Sequence, residues 1–173
     1  MGVRLPFSDA GPCEIEWGFG ESDAIVLRPY LGTVSLRVTD AIKDIQEEGY
    51  GEAPVDAIVQ GTTVELDVPL TRLDVDQLEV VLQAARPSGN ILVLSSRAGC
   101  PMYDDARALV IRPICDNVPD PDTGHWIEIF KTFPFRKIDL PFDRGTQRVI
   151  LIGFKVFVSQ ESGHEGEILQ IGI

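Results

Sequence analysis

Residues 63–70, Thr-Val-Glu-Leu-Asp-Val-Pro-Leu, alternate polar and apolar side chains without a break. A period of two places Val64, Leu66, Val68 and Leu70 on one face of an extended chain and Thr63, Glu65, Asp67 and Pro69 on the other. Such a segment folds only as a strand with one side buried. Pro69 has no N–H to give a neighbouring strand, which puts it at a strand edge or end. A matching run lies upstream, "TVSLRVTDAIKDI", with Val34, Leu36 and Val38 facing one way and Ser35, Arg37 and Thr39 the other. Beyond it, Ile42 and Ile45 allow either a bulged continuation of the strand or a short helix. Between the runs stands "QEEGYGEAP", rich in acids and glycine. The two runs therefore read as arms of one long hairpin, with residues 46–54 as a flexible acidic loop.

Downstream, the period changes. Asp74 has the character of an N-cap, with Gln77 at the capping-box position and Leu73 and Leu78 spaced as a hydrophobic staple. Leu78, Val81, Leu82 and Ala85 form a single apolar stripe at helical spacing. Arg86 suits the C-terminal end of the dipole, and "PSG" ends the helix. The segments "CEIEWGF", "AIVLRPYLG", "NILVL", "RALVIRPIC", "HWIEIFKTF", "QRVILIGFKVFV" and "EILQIGI" read as strands, the first half-buried with Ile15 and Trp17 alternating with Glu14 and Glu16 on its polar side. Residues 1–12 lack periodicity and form an arm. The expected fold is mainly β (all-β to α+β), a sandwich or barrel with one packed amphipathic α-helix, in a single domain spanning residues 1–173.

Charge and cysteine usage narrow the function. The chain has 27 acidic and 15 basic residues in 173, a formal net charge of -12, which opposes counterion-releasing binding to nucleic acid. Cys13, Cys100 and Cys115 are odd in number and share no CxxC spacing, so reduced thiols in a reducing compartment are expected rather than a disulfide framework. No secretory signal and no apolar run of about 20 residues is present, so a soluble protein made in a cytoplasm is expected.

Catalytic and metal constellations fail one by one. His125 and His164 show no metal-ligand spacing. Asp116, Asp120, Asp122 and Gly124 lack the periodicity of a calcium loop and read as a surface turn. "GFGES" fails as a dinucleotide fingerprint. Ser95 and Ser96, near Cys100 and Asp104, have no histidine in reach of the sequence. No catalytic residue, metal ligand or cofactor is assigned, and an enzyme is not expected. Trp17, Trp126 and most phenylalanines read as core and interface packing. Tyr50, between two glycines, reads as an exposed aromatic anchor.

The stretch "GTVSLRVTDAIKDIQEEGYGEAPVDAIVQGTTVELDVPLTRLDVDQLEVVLQAA" resembles the tail tube proteins of tailed bacteriophages, a family similar in turn to the tubes of type VI secretion. The resemblance lies in the order of elements: arm, long hairpin with a soft tip, helix, closing strands. It implies a non-enzymatic virion subunit that assembles with itself into hexameric rings, stacked as a hollow tube through which DNA passes. It implies as partners other tail proteins (baseplate or initiator, terminator, and a sheath where the tail has one), with no membrane. Assembly would take place in the host cytoplasm and the product would reside in the virion tail. Ile45, Glu48, Tyr50 and Val55 become candidates for the contact between rings, the loop ordering only on assembly. "EILQIGI" and the arm become further subunit contacts. Glu65 and Asp67 become candidates for a bore whose carboxylates repel phosphate. The alternatives are a ring-forming initiator at the baseplate end or a type VI-like tube. From another class, a small β-barrel enzyme or ligand-binding module remains.

Overall fold

The computed structural model describes residues 12–28, 33–46, 53–70, 85–88, 91–94, 99, 101–136 and 150–172. Its strands are β1 (Cys13–Trp17), β2 (Ile25–Leu27), β3 (Ser35–Gln46), β4 (Pro54–Leu70), β5 (Ala85–Ser88), β6 (Ile91–Leu94), β7 (Arg107–Cys115), β8 (Val118–Pro119), β9 (Ile127–Arg136), β10 (Ile150–Val156) and β11 (Leu169–Ile171). Seven of them run side by side in the order β2-β1-β7-β9-β10-β4-β3, with β11 on β9 and β8 on β7, and β5-β6 form a separate hairpin. Every pairing among the described residues is antiparallel. The fold is mainly β, as the alternating sequence requires.

One face of the large sheet supplies a continuous core. Ile15 and Trp17 meet Leu27 and Ile25 on one side, and Ile111 and Leu109 on the other. Ile129, Ile152, Phe154, Val64, Leu66 and Val68 complete it, all fully or nearly fully buried. Strands β1 and β10 are three lanes apart, roughly 14 Å in a flat sheet. Yet the rings of Trp17 and Phe154 lie 6.4 Å apart. The sheet is therefore curled strongly onto its own apolar face, as in a partly open barrel. Trp17 Nε1 reaches the Thr132 carbonyl at 3.4 Å, so the indole donor is not stranded in the core.

Local chemistry explains the turns. Asp116 and Asn117 both have positive φ (52° and 64°). Short side chains tolerate that region, and two such residues form the two-residue link of the β7-β8 hairpin. In the sequence this stretch reads only as part of a loop. Gly18 (φ 81°) leaves β1, and its N–H donates to the Ala108 carbonyl at 2.7 Å. At Gly153 the reason is space. A Cβ there would lie 2.6 Å from the Phe135 ring, which covers the glycine from the neighbouring strand.

Two expectations change. Ala85 and Arg86, read as the end of a helix, are in β5, with Ala85 opposite Leu94 and Arg86 opposite Val93. The cause is Pro87, which drives the residue before it out of helical backbone, and the apolar run Ile91–Val93 offers a partner strand. The remainder of that helix, from Asp74 to Gln83, lies outside the described residues. Glu14, placed on the polar side of a half-solvated strand, is instead buried. Its carboxylate takes Arg28 at 2.7 Å and stands 3.7 Å from Arg112. Arg112 also pairs with Glu16 and lies 4.4 Å over the Trp126 ring. The face opposite the core is thus closed in part by an ion-pair ladder under an aromatic lid.

Candidate functional site

Among the described residues the chemistry that stands out is a surface rather than a pocket. No group of three or more histidine, cysteine, aspartate or glutamate side chains that would hold a metal occurs among them, and no helix there is long and apolar enough to cross a membrane. Asp122 accepts from the Gly124 N–H, and Asp120 from the Asp122 N–H and, at 2.7 Å, from His125 Nδ1. Those bonds build a turn. The hydrogen bond from His125 holds the Asp120 carboxyl below its ordinary range. Burial pushes the Cys13 thiol up to about 11, so at neutral pH it is protonated and a poor nucleophile.

The surface is the β3-β4 hairpin. The pairing is regular from Ser35↔Asp67 to Ala41↔Gly61, then shifts at Ala41/Ile42 and again at Ile45/Gln46. Of the two readings open for Ile42 and Ile45, the bulged strand is the one observed. Bulges of this kind admit an extra residue and increase local twist. Among the described residues, only 65–70 of β4 have a second neighbour, β10. Outward from residue 63 of β4 and residue 37 of β3 the ribbon is two strands wide and projects from the body, exposed along both arms.

Alternation assigns its faces. Leu36, Val38, Asp40, Ile42 and Asp44 on β3 share the core-facing side with Leu66, Val64, Thr62, Val59 and Ala57 on β4. Arg37, Thr39, Ala41, Lys43 and Ile45 share the other with Glu65, Thr63, Gly61, Ile58 and Asp56. The apolar stripe that fills the core near the body runs on into solvent. Val38 is 55% exposed, Ile42 62% and Val59 58%, and on the other face Ile58 is 54% exposed. Isolated two-stranded ribbons are marginal in water, and large contiguous exposed apolar patches mark interaction sites.

The sequence candidates fall as follows. Ile45 and Val55 are on the outer part of the ribbon and exposed. Glu48 and Tyr50 lie outside the described residues. Glu65 is exposed and Asp67 half-buried, both on the face away from the core. Glu65 is not an isolated carboxylate, because Lys155 Nζ, on the opposite residue of β10, stands 3.9 Å from it. Val38, Ile42, Ile58 and Val59 carry most of the exposed apolar surface of the ribbon, and sequence reasoning does not single out Val38, Ile58 or Val59 as exposed. Their signal is nonetheless present in the sequence: the apolar alternation continues beyond the length any small body can cover.

The architecture is a curled antiparallel sheet bearing a long hairpin. No family model and no curated protein matches the chain. Among solved structures, it is similar to a chain in the cryo-EM structure of the anti-feeding prophage (AFP) baseplate, 6-fold symmetrised, with a TM-score of 0.50 and 13% identity over 90% of this chain and 91% of that one. The likeness extends over nearly the whole of both chains and is one of fold.

Proposed function

We propose that this protein is a structural subunit of a phage tail or tail-derived injection apparatus, and that it works by assembling with copies of itself into stacked six-membered rings around a bore. The observation that carries the reading is the projecting ribbon, apolar on both faces and uncovered among the described residues. A curled body bearing an uncovered apolar ribbon is a subunit that awaits neighbours. The similarity of fold to a chain of a six-fold baseplate supports this reading, as does the order of elements along the sequence. In the assembled state the acidic hairpin loop folds against an adjacent ring, and the face carrying Glu65 and Asp67 lines the bore. DNA passes there without specific binding.

A second reading, a ring-forming component at the baseplate end, is favoured by the likeness of fold to a chain that belongs to a baseplate. The two differ in whether growth stops. Negative-stain microscopy and sedimentation of the purified protein across a concentration series separate them. Hollow rods that lengthen with concentration support the tube subunit. Single six-fold rings that do not grow support the baseplate component. A monomer that persists at millimolar concentration overturns both.

A further inference from the structure

The two faces of the outer ribbon differ in charge as well as sharing apolar character. On the core-facing side Asp40 and Asp44 flank Ile42 along β3, with Val59 opposite Ile42. No cation of β3 or β4 lies on that side among the described residues. On the reverse side Lys43 stands between Ala41 and Ile45, with Ile58 opposite it. The carboxylate nearest on that side is Asp56, one pair further out opposite Ile45, and it accepts the Ala57 N–H at 2.8 Å. Among the described residues Lys43 makes no ion pair, and Asp40 is held only by Thr62 Oγ1 at 2.7 Å.

One side therefore presents acid–Ile–acid and the other Ala–Lys–Ile, both around a β-branched residue of β4. We infer that the ribbon is complementary to itself, face to face: the Asp40/Ile42/Asp44 side of one copy packs on the Lys43/Ile45/Ile58 side of the next. Lys43 then sits between the two carboxylates of its neighbour while Ile42 and Val59 cover Ile45 and Ile58. The contact is head-to-tail, since different faces meet, so it propagates from copy to copy and closes only if the rotation between copies closes. Opposite charges set the register and exclude the flipped arrangement, in which acid would meet acid. The inference rests on the self-assembly reading above and adds which surfaces meet.

Charge reversal tests it. Lys43→Glu leaves both faces acidic; Asp40→Lys with Asp44→Lys leaves both basic. Each variant is expected to raise the concentration needed for assembly by at least about tenfold, as like charges meet at every junction. A one-to-one mixture of the two is expected to assemble, since each acidic face then finds a basic one. So is the single chain carrying all three reversals. All three positions are exposed, and circular dichroism with thermal melting checks that each variant is folded. The neutral pair Asp40→Asn with Asp44→Asn, expected to fall between wild type and reversal, guards against an effect of lysine on the strand itself. Wild-type assembly together with normal assembly of either reversal, or with failure of both the mixture and the triple variant, overturns the face-to-face contact alone. A wild-type chain that stays monomeric overturns it together with the self-assembly reading.

Discussion

Gly153 shows how a single residue fixes a local arrangement. The Phe135 ring lies where its side chain would be, so the glycine is there because an aromatic needs the room. Gly153→Ala is expected to destabilise the fold by about 1–3 kcal/mol, the usual cost of overpacking. Adding Phe135→Ala removes the obstacle, so the double variant should lose less than the sum of the singles in denaturant titrations. Asp120 makes a case in electrostatics. Its carboxyl is held below its ordinary range, first by the hydrogen bond from His125 and then by that from the Asp122 N–H. A depressed folded value means the group stabilises the fold above its unfolded pKa, roughly 3.9, and that this is lost as pH falls through the lower, folded value. Wild type should therefore lose more of its urea midpoint than Asp120→Asn between about pH 5 and pH 2.

At the scale of elements the hairpin divides into a buried half and an exposed half. Val64, Leu66 and Val68 are buried, and Ile42 and Val59, on the same face of the ribbon, are exposed. Ile42→Lys with Val59→Lys should shift stability by no more than about 0.5 kcal/mol, as exposed positions do, while abolishing rings and rods under the microscope. Shortening the loop by deleting residues 46–53 should leave a folded subunit whose rings fail to stack. The strands are the readable part of this chain because strict alternation has one physical meaning. What the sequence leaves obscure has specific causes. Arg86 satisfies helix-end chemistry, and only the proline after it, acting on its backbone, argues for a strand. Glu14 looks solvent-facing because alternation reports two faces and says nothing of what covers the second. Arg28 and Arg112, which cover and pair it, are distant in sequence or on another strand. The exposed ribbon residues look like core because they are apolar and alternate: periodicity cannot tell a buried stripe from one left in solvent.

For the whole molecule, curling lets one sheet serve as both layers of a small core. Trp17 and Phe154 meet across it, so Phe154→Ala should cost about 3–5 kcal/mol, measured by chemical denaturation, and weaken assembly indirectly. Among the described residues, backbone hydrogen bonds join the hairpin to the rest of the sheet through β10 alone, since β4 has only β3 and β10 as neighbours. Yet β10 follows β4 in the chain by some eighty residues. During synthesis the apolar arm thus leaves the ribosome well before the strand that pairs with it. Crowded polysomes would hold many sticky, untethered arms at once, and slow closure of such distant pairings lengthens that interval. Timing, as much as shape, then bears on whether each chain folds singly or tangles with its neighbours.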